Sequence, residues 1–254
     1  MSYILIDIGN TYTKYVEYLD KIVSPVTKFE TCNFAESIKS IKAAKLVEKV
    51  IIVSVANDKI TKDVIKKLEI HFDCTVQQIK TSHSIFGVKC GYNDFKLLGA
   101  DRWVAILAAY HSNKAAAVND IIMVIDCGTV ITIDVIDKYG QHLGGWMMPS
   151  ATLMKNALID KTNRIKQGIN TLASTKSESN VIFGHSTHEC IGLGVTFSAV
   201  GFIEQCFKQT QMQLKTIPRC ILTGGGALDI LSLLSMKVEH KPNLIFDGLA
   251  LFTE

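Results

Sequence analysis

The chain has 254 residues, 48 % of them hydrophobic, and a formal net charge of +3. That length allows one large domain or two of ordinary size with ample apolar material for a core, and the slight positive balance lacks the basic stripe expected of a nucleic-acid binder. Seven cysteines without a C-x-x-C pair point to reduced thiols in a cytoplasmic protein, no signal core follows the N-terminus, and the apolar run 191–203 is too short to span a bilayer, so no membrane role is expected.

Tyr3 to Ile6 form an uninterrupted β-prone run that delivers Asp7 into a turn at Gly9, followed by Asn10, Thr11, Thr13 and Lys14. Such a hairpin offers a phosphate the bared backbone amides, the Asn10 amide, the Thr11 and Thr13 hydroxyls and the Lys14 ammonium. Asp7 repels phosphate and suits Mg²⁺, held directly or through water. An ordinary β-turn with polar surface residues would read the same by itself. Strands follow at 15–19 and 22–29, the latter broken by Pro25 and so placed at an edge. A helix over 33–45 comes next, and Lys39, Lys42, Lys45 and Lys49 read as a solvated helix face. A strand at 50–55, a helix at 58–69, a strand at 75–79 and a helix at 100–111 complete the first half. Before that last helix, YNDFKLLGADR (92–102) sets Asp101 and Arg102 in its first turn. An acidic residue there can simply offset the helix dipole. Gly99, however, allows close approach of a ligand, Arg102 can fork to a carboxylate and Asp101 can accept a proton from a hydroxyl, which together describe a kinase acceptor site.

The second half begins again with IIMVIDCGTVITID (121–134), where Asp126, Gly128 and Thr132 match Asp7, Gly9 and Thr13 at one offset of 119 residues, about half of the chain. Two like halves, 1–118 and 119–254, facing each other across a nucleotide cleft explain this repeat. Strands at 121–125, 130–136 and 141–148 lead to a helix capped by Ser150, then to a polar loop over 163–180. A helix from Thr187 to about Gln209 has no counterpart in the first half, and its Gly192, Gly194, Ala199 and Gly201 suggest close approach by another backbone such as a second subunit's. A strand at 219–223 enters Gly224-Gly225-Gly226, either an anion-binding or a merely flexible turn, and a short helix at 247–252 ends the chain. No P-loop is present, Phe197 breaks a dinucleotide reading of Gly192-x-Gly194, and His185, His188 and Glu189 lack the H-E-x-x-H order of a zinc site.

DIGNTYTK (7–14), GADR (99–102), DCGTVITID (126–134) and GGWMMP (144–149), in this order, resemble type III pantothenate kinases. The resemblance implies an α/β, duplicated ribonuclease-H-like (actin-like) fold of two β-β-β-α-β-α-β-α halves, ATP-dependent phosphorylation of pantothenate, and a homodimer with the acceptor at the interface. It implies that Asp7, Ile8, Gly9, Asn10, Thr11, Tyr12, Thr13 and Lys14 bind ATP and its Mg²⁺, with Thr129 contacting the nucleotide from the other half. Asp101 would be the general base, and Tyr92, Gly99, Ala100, Asp101, Arg102 and Thr187 would hold pantothenate. Asp126 would bind a monovalent cation, K⁺ or NH₄⁺. Phe95 stands where the family usually has proline, and Ser150 where it has glycine. A kinase for a sugar or another small hydroxylated molecule, and a non-catalytic transcription accessory protein, are the alternative readings.

Overall fold

The computed structural model describes residues 2–115, 121–161 and 183–253, so the predicted loop 163–180 lies outside the described residues. The chain forms two compact units: Met1–Ile122 with Asp134–Gly144 and Asn243–Glu254, and Met123–Ile133 with Gly145–Pro242. The grouping departs from a single cut after residue 118, because 134–144 and the C-terminal helix gather with the first unit.

In the first unit, β1 (Ser2–Ile8) pairs antiparallel with β2 (Tyr12–Leu19) and parallel with β5 (Val47–Ser54). Pro25 splits the predicted third strand into β3 (Ile22–Val23) and β4 (Thr27–Glu30), both pairing with β2. With β6 (Thr75–Ile79) the sheet order is β3-β2-β1-β5-β6. Strand alternation sorts β1 between two cores. Ile4, Ile6 and Ile8 pack under α1 (Thr31–Ser37) and α2 (Asp58–Phe72), while Leu5 faces α3 (Ala100–Ala115) and, near the C-terminus, Leu244–Ala250. The helix predicted over 33–45 is shorter, passing through a 3-10 turn at Ile38–Ser40 before the chain extends at Ile41. Buried Ile38 and Ile41 pin that descent, so Lys39 sits in the 3-10 turn and Lys42 and Lys45 follow it outside any helix, all three solvated but not on one helix face. A two-residue hairpin, β7 (Ser84–Ile85) to β8 (Val88–Lys89), turns through Phe86 and Gly87, both at positive φ.

The second sheet repeats the arrangement. β9 (Ile122–Cys127), β10 (Val130–Ile136), β11 (His142–Pro149), β12 (Arg219–Thr223) and β13 (Val238–His240) run in the order β11-β10-β9-β12-β13. Its strands β12 and β13 are parallel, as β5 and β6 are in the first. Ser150 caps α4 (Ala151–Lys161), its hydroxyl accepting from Leu153 N–H at 3.2 Å. The long helix α5 (Thr187–Leu214) has 28 residues, enough in length and apolar composition to cross a membrane. One face of it is a core face: Ala199, Val200, Ile203 and Cys206 pack with Met123, Ile125 and Leu222, and with Ala227 of α6 (Ala227–Leu231). Burial pushes the Cys206 thiol up to about 11 and the Cys220 thiol to about 12, so both are protonated packing groups at neutral pH.

In the first unit, α7 (Leu244–Ala250) lies on α3 where Gly248 meets the backbone of Val104; an added Cβ would collide with the Val104 carbonyl. Alanine is favoured over glycine in a helix by ~1 kcal/mol, but overpacking against backbone costs about 1–3 kcal/mol. Gly248→Ala is expected to be net destabilising by up to ~2 kcal/mol, a fall in Tm of up to roughly 8 °C by calorimetry.

Candidate active site

Strand register sets the first turn. Asp7, the last residue but one of β1, is directly opposite Lys14, and Lys14 is directly opposite Lys28 of β4, so the three stand in one row on the Leu5 face. Lys28 reaches over Tyr12, its Nζ 3.4 Å from the ring centre. Gly9 N–H donates to Tyr12 O at 3.1 Å and closes the turn, leaving Asn10 and Thr11 exposed. Ile8 and Thr13 face the other way and are fully buried. The Thr13 hydroxyl is 3.1 Å from that of Thr31, which donates to Gly9 O at 2.8 Å. Thr13 therefore shapes the turn from beneath, and its hydroxyl does not join the outward row.

The acceptor stretch begins where β8 docks on the 137–141 turn through Lys89 N–H to Gly140 O, 2.9 Å. A Cβ at Gly91 would collide with the His142 carbonyl, so glycine is required for this approach. Asp94 caps a 3-10 turn at Phe95–Leu97, accepting from Lys96 N–H at 3.1 Å. Phe95 holds the first position of that turn, where proline's fixed φ would also fit, and its ring meets His83 edge-on. Thr81 then anchors Leu98 O at 2.7 Å, and α3 starts at Ala100, which packs on the Leu5 and Val53 cluster. The start of α3 thus lies on the sheet face that carries Asp7 and Lys14.

Arg102 is 7 % exposed and forks onto Asp134 of β10, with Nε donating to Oδ2 at 2.9 Å and Nη2 to Oδ1 at 2.7 Å. Its Nη1 donates to Tyr92 Oη at 3.0 Å. His142, fully buried, sits with Nε2 2.9 Å from Asp134 Oδ1 and its ring stacked on Tyr92. Burial alone would lower the Arg102 pKa, but the Asp134 hydrogen bonds and charge raise it above its ordinary value. Asp101 differs. Burial raises its pKa above the usual carboxylate range, against the lowering effects of Arg102 N–H, donating at 2.7 Å, and of the guanidinium charge. Tyr92, Gly91, Asn93, Asp94 and Leu97 line a surface recess of about 360 Å³.

In the second unit, Asp126 is the last residue but one of β9 as Asp7 is of β1, and Gly128 and Thr129 are exposed in the following turn. Gly224, at φ +93°, comes close enough that a Cβ would strike Asp126 Oδ1, and Gly226 N–H donates to Cys127 O at 2.9 Å. The glycine run is thus needed for backbone approach to Asp126. Thr187 is exposed as the first residue of α5, beside a groove of about 760 Å³ lined by Met154, Leu158, Ile191 and Gly194 among others. Ser186 and Glu189 form a capping box there, Ser186 Oγ accepting from Glu189 N–H at 3.2 Å and Glu189 from His185 N–H at 2.7 Å. Sequence reasoning missed Lys28, Asp134 and His142. A charged residue inside the apolar strand VITIDVI was the available signal for Asp134.

A family model described as type III pantothenate kinase matches residues 3–209. Type III pantothenate kinases from Nitrosococcus oceani and Ectopseudomonas mendocina are 30 % and 28 % identical, each over 97 % of this chain and over 92 % and 96 % of their own. Among solved structures, a Campylobacter jejuni protein described as a Baf family transcriptional activator has a TM-score of 0.59 at 20 % identity, covering 98 % of this chain and 96 % of that one. One from Sinorhizobium meliloti described as a 2-dehydro-3-deoxygalactonokinase has 0.62 at 10 % identity, covering 98 % and 97 %. At these identities the structural likenesses speak for the fold alone, the duplicated actin-like and sugar-kinase-like one.

Because the folded state raises the Asp101 pKa, protonated Asp101 is favoured by folding. Its contribution is full below the unfolded-state value of about 3.9 and is lost as pH rises through the higher folded value. Asp101→Asn is therefore expected to unfold at higher temperature than the parent at pH 7, with the gap narrowing toward pH 4 in parallel thermal melts.

Proposed function

The chain belongs to the type III pantothenate kinase family and phosphorylates pantothenate in coenzyme A biosynthesis, and we propose from that premise that Asp101 is its general base. The observation that carries this assignment is a carboxylate made more basic by burial, at the start of a helix on the face that holds Asp7 and Lys14. Phosphoryl transfer from ATP has a loose transition state, so placement and charge compensation dominate. Lys14, Lys28 and the amides of the Gly9–Tyr12 turn other than that of Gly9, which closes it, hold the phosphates. Asn10 and Thr11 add side-chain donors, Thr129 contributes the same from the second turn, and Ile8, Tyr12 and Thr13 support the turn's shape. Asp101 takes the proton of the attacking pantothenate hydroxyl, while Tyr92, Gly99, Ala100 and Arg102 form the acceptor pocket.

Asp7 fits Mg²⁺ arriving with ATP, a hard ion that takes few protein ligands and keeps several waters; no cluster of three ligating side chains occurs among the described residues. Asp126, a hard oxygen donor against a glycine backbone, fits K⁺ or NH₄⁺. When bound, these ions offset phosphate charge. The protein works in the cytoplasm as a homodimer packed through α5, with Thr187 reaching an acceptor site at the interface. A Cβ at Gly192, Gly194 or Gly201 would meet nothing within 4 Å in the chain itself, which leaves that surface open to a second copy.

Incubation with ATP, Mg²⁺, K⁺ and pantothenate should yield 4′-phosphopantothenate by mass. Asp101→Asn should lower kcat by roughly 10²- to 10⁴-fold with the KM for ATP nearly unchanged; near-parental turnover would refute the base assignment. Light scattering should give twice the 28.0 kDa chain mass, and Gly194→Leu should return it toward the monomer.

A further inference from the structure

Tyr92 is held by a chain of hydrogen bonds whose direction is set at every link. Gly91 N–H donates to His142 Nδ1 at 3.3 Å, so that nitrogen presents its lone pair and the ring proton is on Nε2. Nε2 donates in turn to Asp134 Oδ1 at 2.9 Å. The carboxylate also accepts from Arg102 Nε and Nη2, and all three donors converge on one buried anion. A guanidinium has donors and no acceptor, so its third contact can run in one sense only, from Nη1 to Tyr92 Oη at 3.0 Å. Having accepted from a cation, the Tyr92 oxygen turns its own proton away from Arg102. Stacking on His142, with ring centres 6.0 Å apart and planes at 19°, fixes the phenol's orientation from a second side.

We propose that His142 and Asp134 are positioning residues which, through Arg102, lock Tyr92 as a hydrogen-bond donor to an oxygen of the acceptor substrate. Arg102 is neutralised by Asp134, so it does not present an uncompensated cation to pantothenate. Pantothenate supplies oxygens of the right class in its carboxylate and amide carbonyls. The proposal rests on the reading of Tyr92 as part of the pantothenate site.

A neutral hydrogen bond contributes up to about tenfold in binding. Tyr92→Phe should raise the KM for pantothenate roughly tenfold while kcat and the KM for ATP stay within about twofold. His142→Leu should do the same, His142→Gln, which keeps a donor near the Nε2 position, should restore most of the loss, and the double variant Tyr92→Phe/His142→Leu should be no worse than Tyr92→Phe alone. Losses that multiply to about a hundredfold, or that fall equally on ATP, would overturn the proposal while leaving the pantothenate kinase reading intact. A parent protein inactive on pantothenate would overturn both. ¹⁵N NMR of the parent His142 ring tests the chain without any variant: a proton on Nε2 alone supports it, and one on Nδ1 overturns it.

Discussion

A buried carboxylate inside an apolar strand is the constraint around which the proposed acceptor side is built. Asp134 lies among Ile131, Ile133, Val135 and Ile136 and is 2 % exposed. Such a group must be paired and fully hydrogen-bonded or it becomes neutral. Here pairing recruits residues from three stretches distant in sequence, Arg102 from the start of α3, His142 from the start of β11 and, through Arg102, Tyr92. Removing one member of such a pair costs about 3–5 kcal/mol, whereas apolar replacement of the whole pair can be neutral or stabilising. Stability therefore does not explain a buried ion pair at this position. Its geometric consequence does, since one carboxylate sets the placement of the acceptor loop against the helix that carries Asp101.

The two sheets show what the duplicated design conserves and where it diverges. Each has the same strand order, and each puts an aspartate at the end of its middle strand, followed by a glycine turn. The supporting layers differ. In the first unit, α3 and α7 cover the face that carries Asp7, with Gly248 allowing them to meet closely. In the second, the glycine run at 224–226 brings its own backbone against Asp126 and Cys127. The small α6 that follows has five residues and serves mainly to close the core through Ala227 and Ile230.

Much of this was legible in the sequence because strand and turn chemistry are local. The offset that relates Asp7 and Gly9 to Asp126 and Gly128 identified the repeat, and Ser150 was a recognisable cap. Facing was harder. Thr13 and Thr132 aligned within the repeat, and both are buried, so the alignment by itself did not show which way the two hydroxyls face. Lys28 carries no motif and matters only because β4 places it opposite Lys14. The Phe86-Gly87 hairpin lacks the Asn-Gly signal, and β13 has three residues, too few to show a period. His142 could not be found from sequence at all, because its partners become neighbours only when β8 docks on the turn before β11.

The ion pair also bears on Asp101, the proposed base. Asp101 adjoins Arg102, whose backbone N–H and guanidinium charge both draw its pKa down. Two influences oppose this: the burial of Asp101, which is the larger, and the negative charge of Asp134. Asp134 pairs with the Arg102 charge, and with burial as the main cause the Asp101 pKa stays above its ordinary value. Asp134 thus bears on Tyr92 through Arg102 and, as a lesser contribution beside burial, on the Asp101 carboxyl. A substitution at Asp134 would disturb both at once, and its effect could not be divided between binding and chemistry by a single rate measurement.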